Sequence, residues 1–523
     1  MLFLTGLRVT NSTIVAGLFY KCNFNEDHPK FDLLRSFQME TLPHDCIFDI
    51  CCQIGDDIVT LHSCILLNRK WCSEAIPFLW QKPFVNSLSD RSLSNVALMY
   101  LKNTADEFKF FQSNTPTYYE YPEYLRQVNM FIVVKAIKAW IERNKYSSFP
   151  AIANEILEAF GRIIITKSKG LKEISFDAIE IEPFSYTINV FQLFLQKQKF
   201  TKARGWSQLE KLSFSGSFNK LTLLAAASEV ATNLEEIIAE KFWNIEECIA
   251  LGKLVREQRR LKRLKIIDLQ NTKHFLDGYV GKNRSSNFTQ SAHFTLVYLH
   301  FADVNFYKTR LLSFLAHFPN IKYLEFSLCK NLITYGTSRY PENLIFDKLL
   351  SLSLFLTCPE IHDLCFILEN STKLESFKLC GYTSRYIPEV LEYLATFCHN
   401  LKLLELNLDS TYFSTLQKSL KRLQSLETLT IGNDFNFSIY TPLYVGKYLK
   451  TFGAAIPKTL RKLTILCNWV FTPDELTKFL EGFEEKLAYL YLGFCDIEDQ
   501  HIDIIRDFQR KSKITIIFRN NMM

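Results

Sequence analysis

Several features that define common protein classes are absent from this sequence. The candidate for a membrane span, the uncharged run Val9–Tyr20, has 12 residues, whereas a membrane-spanning helix needs about 20. The 14 cysteines include no Cys-x-x-Cys pair, so a zinc site is not indicated. There is also no phosphate-cradling Gly-rich loop, no His-Glu-x-x-His and no Gly-x-Ser-x-Gly. We therefore predict no membrane span and no catalytic, cofactor-binding or metal-binding residue.

The composition and length are those of a folded chain that exceeds one compact domain. Of its 523 residues, 48% are hydrophobic and 22% are charged, which argues against a mostly disordered protein. A chain of this length exceeds one compact core, so several domains or one elongated repeat array are expected. The net charge of +6 is mild, and it neither requires nor excludes an anionic partner.

The cysteines and the N-terminus are the features from which the cellular compartment is predicted. Scattered cysteines are typical of buried thiols in a reducing environment, which predicts a cytoplasmic or nuclear protein. Residues 1–38 show no convincing periodicity and are expected to be a disordered extension. The alternative is a weak signal peptide at Met1–Leu4, although a basic leading segment and a clear cleavage site are missing.

Residues 39–84 form a compact helical block. It opens with Leu42-Pro43 and has the apolar spacing of three short amphipathic helices. Polar runs at 55–57 and 68–70 fall where turns are needed, and two tryptophans stand near its end, Trp71 and Trp80. So small a unit has too little area for a stable core of its own, and its leftover apolar residues need a partner surface.

Residues 85–168 are predicted to be a helical linker or cap. The segment from Tyr124 to Arg143 places apolar residues at three- and four-residue steps, which predicts one helix. Pro150 then opens a second apolar helix.

An internal repeat occupies residues 169–523. Its pattern, apolar-x-x-apolar-x-apolar, recurs at about 26-residue spacing with three longer steps. This period is typical of leucine-rich repeats, in which each unit pairs a short strand with a helix and stacked units share one core. We expect about 12 or 13 repeats, including a degenerate last strand at 514–518. The predicted strands start at Leu171, Leu209, Leu234, Leu261, Leu296, Ile321, Leu349, Leu374, Leu401, Leu426, Leu460 and Leu487.

Together these blocks resemble the F-box proteins with C-terminal leucine-rich repeats. The resemblance implies an α/β architecture: a short all-α F-box, a helical linker and a leucine-rich-repeat horseshoe, a solenoid with a parallel sheet. It implies that the F-box binds the Skp-type adaptor of a cullin–RING ubiquitin ligase. Asp45 stands where the family usually has Glu, and Cys46 where an aliphatic residue is usual. The adaptor-binding positions carried over are Leu42, Pro43, Asp45, Ile47, Ile50, Leu61, Leu66, Leu67, Trp71 and Trp80. For the two tryptophans, packing within the protein is the favoured alternative.

The repeat pattern also predicts a target-binding surface. Residues between the apolar anchors of each strand point to the concave face, because strand side chains alternate. Exposed aromatics there are candidate anchors for a protein target. Packing against an inserted loop is the alternative. The predicted residues are Tyr298, His300, Tyr323, Phe355, Tyr489 and Tyr491.

A basic cluster, residues 256–265, precedes and enters one strand. Lys262, Arg263 and Lys265 are predicted to face the concave side. The favoured interpretation is a solvated charged surface. Capture of a phosphorylated or acidic motif comes next, and nucleic-acid binding is least favoured because no basic stripe recurs in neighbouring repeats.

These features predict a non-catalytic substrate receptor of an SCF-type ubiquitin ligase. The target protein is unknown, and no nucleic acid, membrane or cofactor is expected as a partner. The alternative is a repeat scaffold that takes no part in ubiquitylation. An enzyme hidden in residues 86–168 is a third possibility, although that segment lacks clustered acid–base or nucleophilic candidates.

Overall fold

The computed structural model contains two compact units, Met1–Leu212 and Ser213–Met523. The predicted extension at 1–38 lies outside the described residues. None of the helices in the described part of the chain is long and apolar enough to cross a membrane. The structure describes residues 42–55, 57–84, 89–101, 119–144, 149–177, 208–216, 220–280, 295–307, 309, 311–332, 346–357, 359–381, 386–408, 410–432, 443–483 and 487–518.

The N-terminal unit begins with three short helices, α1 (His44–Ile54), α2 (Ile58–Ile65) and α3 (Arg69–Leu79). The Asp57 carboxylate accepts a hydrogen bond from the Thr60 amide and caps α2. The Asn68 side chain accepts from the amides of Lys70 and Trp71 and caps α3. The turn predicted at 55–57 is therefore confirmed where it is described. The turn predicted at 68–70 lies slightly earlier, at residues 66–67, because Asn68 is the N-cap and Arg69 and Lys70 already belong to α3.

The rest of this unit is mostly helical, with one departure from the prediction. It contains α4 (Asp90–Leu101), a 3₁₀ turn (Tyr121–Tyr124), β1 (Gln127–Asn129), α5 (Met130–Arg143), α6 (Phe149–Lys167) and β2 (Glu173–Asp177). The prediction of one helix from Tyr124 is wrong, because α5 begins only at Met130. The Asn129 side chain caps α5 by accepting from the Phe131 amide, and the three residues before α5 pair in parallel with β2.

Strands and helices alternate from residue 211 onward. The strand β3 (Lys211–Ser215) contains the division between the units. The strands that follow are β4 (Glu236–Phe242), β5 (Arg263–Leu269), β6 (Tyr298–Ala302), β7 (Tyr323–Ser327), β8 (Ser351–Phe355), β9 (Ser376–Cys380), β10 (Leu403–Asn407), β11 (Thr428–Gly432), β12 (Leu443–Tyr444), β13 (Lys462–Leu466), β14 (Trp469–Val470), β15 (Tyr489–Leu492) and β16 (Thr515–Phe518).

Helices connect most of these strands. They are α7 (Leu221–Val230), α8 (Ile245–Arg256), α9 (Thr272–Val280), α10 (Leu311–Leu315), α11 (Ile361–Glu369), α12 (Ile387–Phe397), α13 (Phe413–Leu420), α14 (Gly446–Ala455), α15 (Pro473–Glu481) and α16 (Asp499–Lys511). A 3₁₀ turn, Ser410–Tyr412, precedes α13.

The strands of the C-terminal unit form a parallel sheet in chain order. Each strand from β4 to β11 pairs with the next, and β13, β15 and β16 continue the sheet. The short strands β12 and β14 pair separately. A strand occurs at each of the twelve predicted positions and at 514–518, so the repeat prediction is confirmed.

One ladder of buried side chains shows why this sequence stacks. The middle apolar residue of each repeat lies directly opposite its counterpart in the next strand, and every member is at most 5% exposed. Because one repeat cannot bury such a residue alone, the ladder joins the repeats into one core. The fold is therefore an α/β leucine-rich-repeat solenoid. The ladder runs through Leu264, Leu299, Leu324, Leu352, Phe377, Leu404, Leu429, Leu463, Leu490 and Ile516.

Lys220, which precedes α7, is an exception in this apolar core. It is 1% exposed, and its ammonium group donates to the carbonyls of Gly216 at 2.6 Å and Lys241 at 3.0 Å. Its amide donates to the Glu247 carboxylate at 2.7 Å. Burial lowers the pKa of Lys220 to about 8. The unfolded chain therefore binds more protons than the folded chain between pH 8 and the ordinary lysine pKa.

This linkage predicts an alkaline gain in stability that depends on Lys220. The cost of burying the charged amine is fully present below pH 8 and is relieved as pH rises through the folded pKa. In Lys220→Met, the free energy of unfolding should rise less between pH 7.5 and 10 than in the wild type. Urea titrations at both pH values measure the difference. Equal changes in the two proteins would contradict this account of Lys220.

Candidate protein-interaction surfaces

The three-helix segment (residues 42–80) has a small core made by all three helices. Its fully buried members are Ile47, Cys51, Leu61, Cys64, Trp71 and Ala75. Burial raises the pKa of Cys51 to about 12 and that of Cys64 to about 11. Both thiols therefore stay protonated at neutral pH and behave as small apolar residues.

This core corrects three of the predicted adaptor contacts. Ile47, Leu61 and Trp71 are at most 1% exposed, so they hold the helices together and do not lie on the surface. The favoured alternative for Trp71 is confirmed. Truncating any of the three would damage the segment itself, since removing a buried Leu or Ile side chain costs about 2–5 kcal/mol and removing a buried Trp costs about 3–5 kcal/mol.

Trp80 is also engaged within the protein. Its ring lies 4.2 Å from that of Tyr121 and 5.5 Å from that of Tyr100, centroid to centroid. The hydroxyl of Tyr100 donates to the Trp80 carbonyl at 3.2 Å. Half-buried in this way, Trp80 links the end of α3 to the following elements of the N-terminal unit.

The start of the segment combines packing with exposure. Leu42, Ile50 and Leu67 are partly buried against the core, and the Lys70 ammonium group donates to the Leu42 carbonyl. Pro43 is exposed and its carbonyl accepts from the Ile47 amide. Asp45 is exposed in the first turn of α1, where an acidic side chain favours the helix dipole.

The most exposed apolar residues of the segment include two that sequence reasoning missed. Leu66, which was predicted, is 65% exposed, while Val59 is 77% and Phe48 is 47% exposed. Val59 and Leu66 are seven residues apart along α2 and its C-cap, so they lie on the same side of that helix. This seven-residue spacing was the available signal. Three large exposed apolar side chains on so small a segment form a candidate docking surface.

A second candidate surface lies on the sheet of the C-terminal unit. Side chains of β5 to β9, β13 and β15 alternate between the core and the opposite face, which we call the open strand face. The first row across its strands runs Arg263, Tyr298, Tyr323, Ser351 and Ser376. The second row runs Lys265, His300, Glu325, Ser353 and Lys378. Five predicted target-binding residues therefore fall in these two rows.

The aromatic residues of the two rows form a connected group. The Tyr298 hydroxyl donates to the Glu325 carboxylate at 3.0 Å, and the Arg263 guanidinium lies 5.2 Å from the Tyr298 ring centroid. His300 Nδ1 lies 3.9 Å from the same carboxylate, and its Nε2 is 3.4 Å from the Ser327 hydroxyl. Tyr323 is 43% exposed. This leaves Tyr323 as the accessible aromatic of the group.

Burial controls the protonation of this group. It raises the pKa of Tyr298 to about 12, with the hydrogen bond to Glu325 adding to the effect. It also lowers the pKa of His300, although Glu325 partly opposes this shift and Lys265 reinforces it. At neutral pH the tyrosine is therefore a hydrogen-bond donor and the histidine is uncharged.

The remaining predicted target-binding residues are dispersed. Phe355 ends β8 and is 38% exposed. Tyr489 and Tyr491 are half-buried on β15, and the Lys462 ammonium group lies 5.3 Å from the Tyr489 ring centroid. These residues share the open strand face with Tyr323 without forming one continuous aromatic patch.

Most of the basic cluster has carboxylate partners inside the C-terminal unit. Lys262 and Arg260 both pair with Glu235, at 2.8 Å and 3.5 Å. Lys262 is exposed and lies one residue before β5. Arg263 faces Glu236 at 3.8 Å. The favoured interpretation of a charged, solvated surface fits this pairing better than a phosphate site.

A metal-binding cluster is not present among the described residues. Across the described ranges, no group of three or more His, Cys, Asp or Glu side chains could hold a metal ion.

Comparisons with known proteins give a weak likeness to solved structures. No family model and no curated protein matches the chain. It is similar to the leucine-rich repeat-containing protein LegL7 from Legionella pneumophila, at 11% identity over 66% of this chain and 91% of that one, TM-score 0.34. It is also similar to the structure of the Rad7 and Elc1 complex in yeast, at 12% identity over 90% of this chain and 92% of that one, TM-score 0.32. The fold assignment stands on the strands described above.

Proposed function

We propose that this chain is a substrate-receptor subunit of an SCF-type cullin–RING ubiquitin ligase. The three-helix segment binds a Skp-type adaptor, and the open strand face binds a target protein. The observation that carries the proposal is the pairing of two non-catalytic surfaces in one chain. One is a small helical segment with exposed Phe48, Val59 and Leu66, and the other is a repeat sheet with exposed Tyr323 and Phe355.

The proposed mechanism is proximity. A receptor that holds a target close to a ubiquitin-charged enzyme raises the effective concentration of the target lysine. This role requires rigid binding surfaces and no covalent chemistry by the receptor. We accordingly propose a non-enzymatic subunit that acts in the cytoplasm or the nucleus.

The adaptor surface is proposed to centre on the side of α2 that carries Val59 and Leu66. It also includes Pro43, which precedes α1, and Phe48 within α1. Exposed apolar side chains contribute most to binding when a partner desolvates them completely. The buried residues Ile47, Leu61 and Trp71 serve this surface by fixing the helices.

A pull-down of the full chain by a purified Skp-type adaptor tests the proposal. We expect binding by the wild type and loss of binding in the Leu42→Ala/Pro43→Ala variant, because the change removes an exposed apolar residue and loosens the start of α1. Melting of the C-terminal unit should be unchanged. Absence of binding by folded wild-type protein would contradict the receptor role and favour a repeat scaffold, as would adaptor binding without co-purification of a cullin.

A further inference from the structure

Small side chains lie beside Tyr323 on the open strand face, and we call this area the recess. Its floor is formed by serines on the next two strands, Ser351, Ser353 and Ser376. Each of these side chains is half-buried, while Tyr323 is 43% exposed. A tyrosine ring extends several ångströms further from its strand than a serine hydroxyl does. Tyr323 therefore stands higher than the serines of β8 and β9 and forms a wall, and Phe355 at the end of β8 is a second exposed aromatic on this face.

The far side of the recess is closed by a charged pair. Lys378 on β9 faces Glu405 on β10 at 3.4 Å. The Cys380 thiol donates to the same carboxylate at 3.7 Å. Lys378 and Glu405 therefore neutralise each other within the sheet. The recess has an aromatic wall on one side, a neutralised polar wall on the other and small residues between them, which suits one apolar side chain.

Of the cations in the two rows, Lys265 is the one without a carboxylate partner in the part of the chain that the structure describes. Its neighbours Lys262 and Arg263 have carboxylate partners, but among the described residues none forms an ion pair with Lys265. Lys265 lies in the second row, on β5, and its positive charge helps to lower the pKa of His300 on the adjacent strand. A ligand carboxylate placed over β5 would therefore meet an available positive charge.

The negative charge of Glu325, between Lys265 and the recess, limits where a ligand carboxylate can bind. Glu325 on β7 is held by Tyr298 and His300, and its negative charge disfavours a ligand carboxylate directly above it. The two favourable positions are thus a carboxylate over β5 and an apolar side chain over β8. Three strand gaps of about 4.8 Å separate them, or about 14 Å. An extended chain covers that distance in about four residues.

We propose that the open strand face binds an extended target segment with an acidic residue and a large apolar residue about four positions apart. The acidic residue pairs with Lys265, and the apolar residue lies against Tyr323 over Ser351 and Ser353. This inference rests on the proposed role of the face in target binding, and it names the chemistry of the target.

Fluorescence anisotropy with defined peptides tests the inference on the full chain. The probe is a labelled short peptide with glutamate and phenylalanine four positions apart in a glycine–serine background, and its comparison peptide has the two residues adjacent. We expect the spaced peptide to bind about tenfold more tightly or better. Equal affinity for the two peptides would overturn the inference.

Two variants and a control locate the binding. Lys265→Glu should weaken the spaced peptide about tenfold and favour the same peptide with lysine in place of glutamate. Ser353→Phe should weaken the binding of the glutamate peptide and of the lysine peptide, because the phenylalanine ring fills the recess. Lys450→Glu, the same charge change on the exposed side of α14, should leave affinity unchanged. Loss of affinity in Lys450→Glu equal to that in Lys265→Glu would contradict a local site.

Adaptor binding by the same preparations separates this inference from the proposed function. Adaptor binding without peptide selectivity overturns the inference and leaves the receptor role standing. Peptide selectivity without adaptor binding supports the inference and overturns the receptor role.

Discussion

Replacing Val59 and Leu66 together by aspartate is expected to reduce the affinity of the chain for a Skp-type adaptor by about a hundredfold or more. The two side chains are 77% and 65% exposed and share one side of α2. Two carboxylates at the centre of an apolar interface would be desolvated without a partner. Isothermal titration calorimetry with purified adaptor measures the change.

Because Val59 and Leu66 are exposed, replacing them should leave folding unchanged. Neither residue belongs to the core of the three-helix segment, so the double variant should melt at the wild-type temperature. Ile245→Asp, an apolar-to-acidic change at a 48% exposed position in the first turn of α8, should retain full adaptor affinity. Wild-type affinity in the double variant would place the adaptor surface elsewhere.

The second large effect is expected from Gly278→Val in α9. This helix packs so closely on α8 that a Cβ at Gly278 would lie 2.0 Å from the carbonyl oxygen of Ile249. On the facing helix, a Cβ at Gly252 would lie 2.1 Å from the carbonyl oxygen of Phe275. Because backbone atoms cannot turn aside as a flexible side chain can, the helices must separate.

We expect Gly278→Val to lower the free energy of unfolding by about 3 kcal/mol or more, with Gly278→Ala intermediate. Thermal melting followed by circular dichroism measures it. Lys253→Ala, on the exposed side of α8, should change the melting temperature little. A stable Gly278→Val protein would mean that the two helices are not in this close contact.

The strands could be predicted because their signal is local and repeated. In Leu299 and Phe301 of β6 or Leu324 and Phe326 of β7, apolar residues alternate with polar ones, and the same register returns in each repeat. A single repeat would have been ambiguous with a buried helix segment. Recurrence at a fixed period removed that ambiguity.

Other features depend on pairings between distant residues and left no local signal. The strand β1 was hidden because Val128 also fits the helical periodicity of the residues that follow it. Lys241, Asp268, Asp303, Leu328 and Leu356 adopt positive φ near the ends of their strands, although glycine is the usual residue for that conformation.

The candidate surfaces also combine features that have a local sequence signal with features that have none. The open strand face follows from side-chain alternation, so the positions of Tyr298 and Tyr323 were accessible from the sequence. The pairing of Lys262 with Glu235 was not, since it joins residues 27 positions apart. Similarly, the helical pattern marked Ile47 and Trp71 as apolar without distinguishing a core residue from a contact. Only the packing of three helices together decides that.

The most direct test of the receptor role is the mass of the assembly formed by the full chain, a Skp-type adaptor and its cullin. Size-exclusion chromatography with light scattering should show one complex with one copy of each, and the Val59→Asp/Leu66→Asp variant should elute alone. Separate elution of folded wild-type chain from the adaptor and cullin would contradict the account.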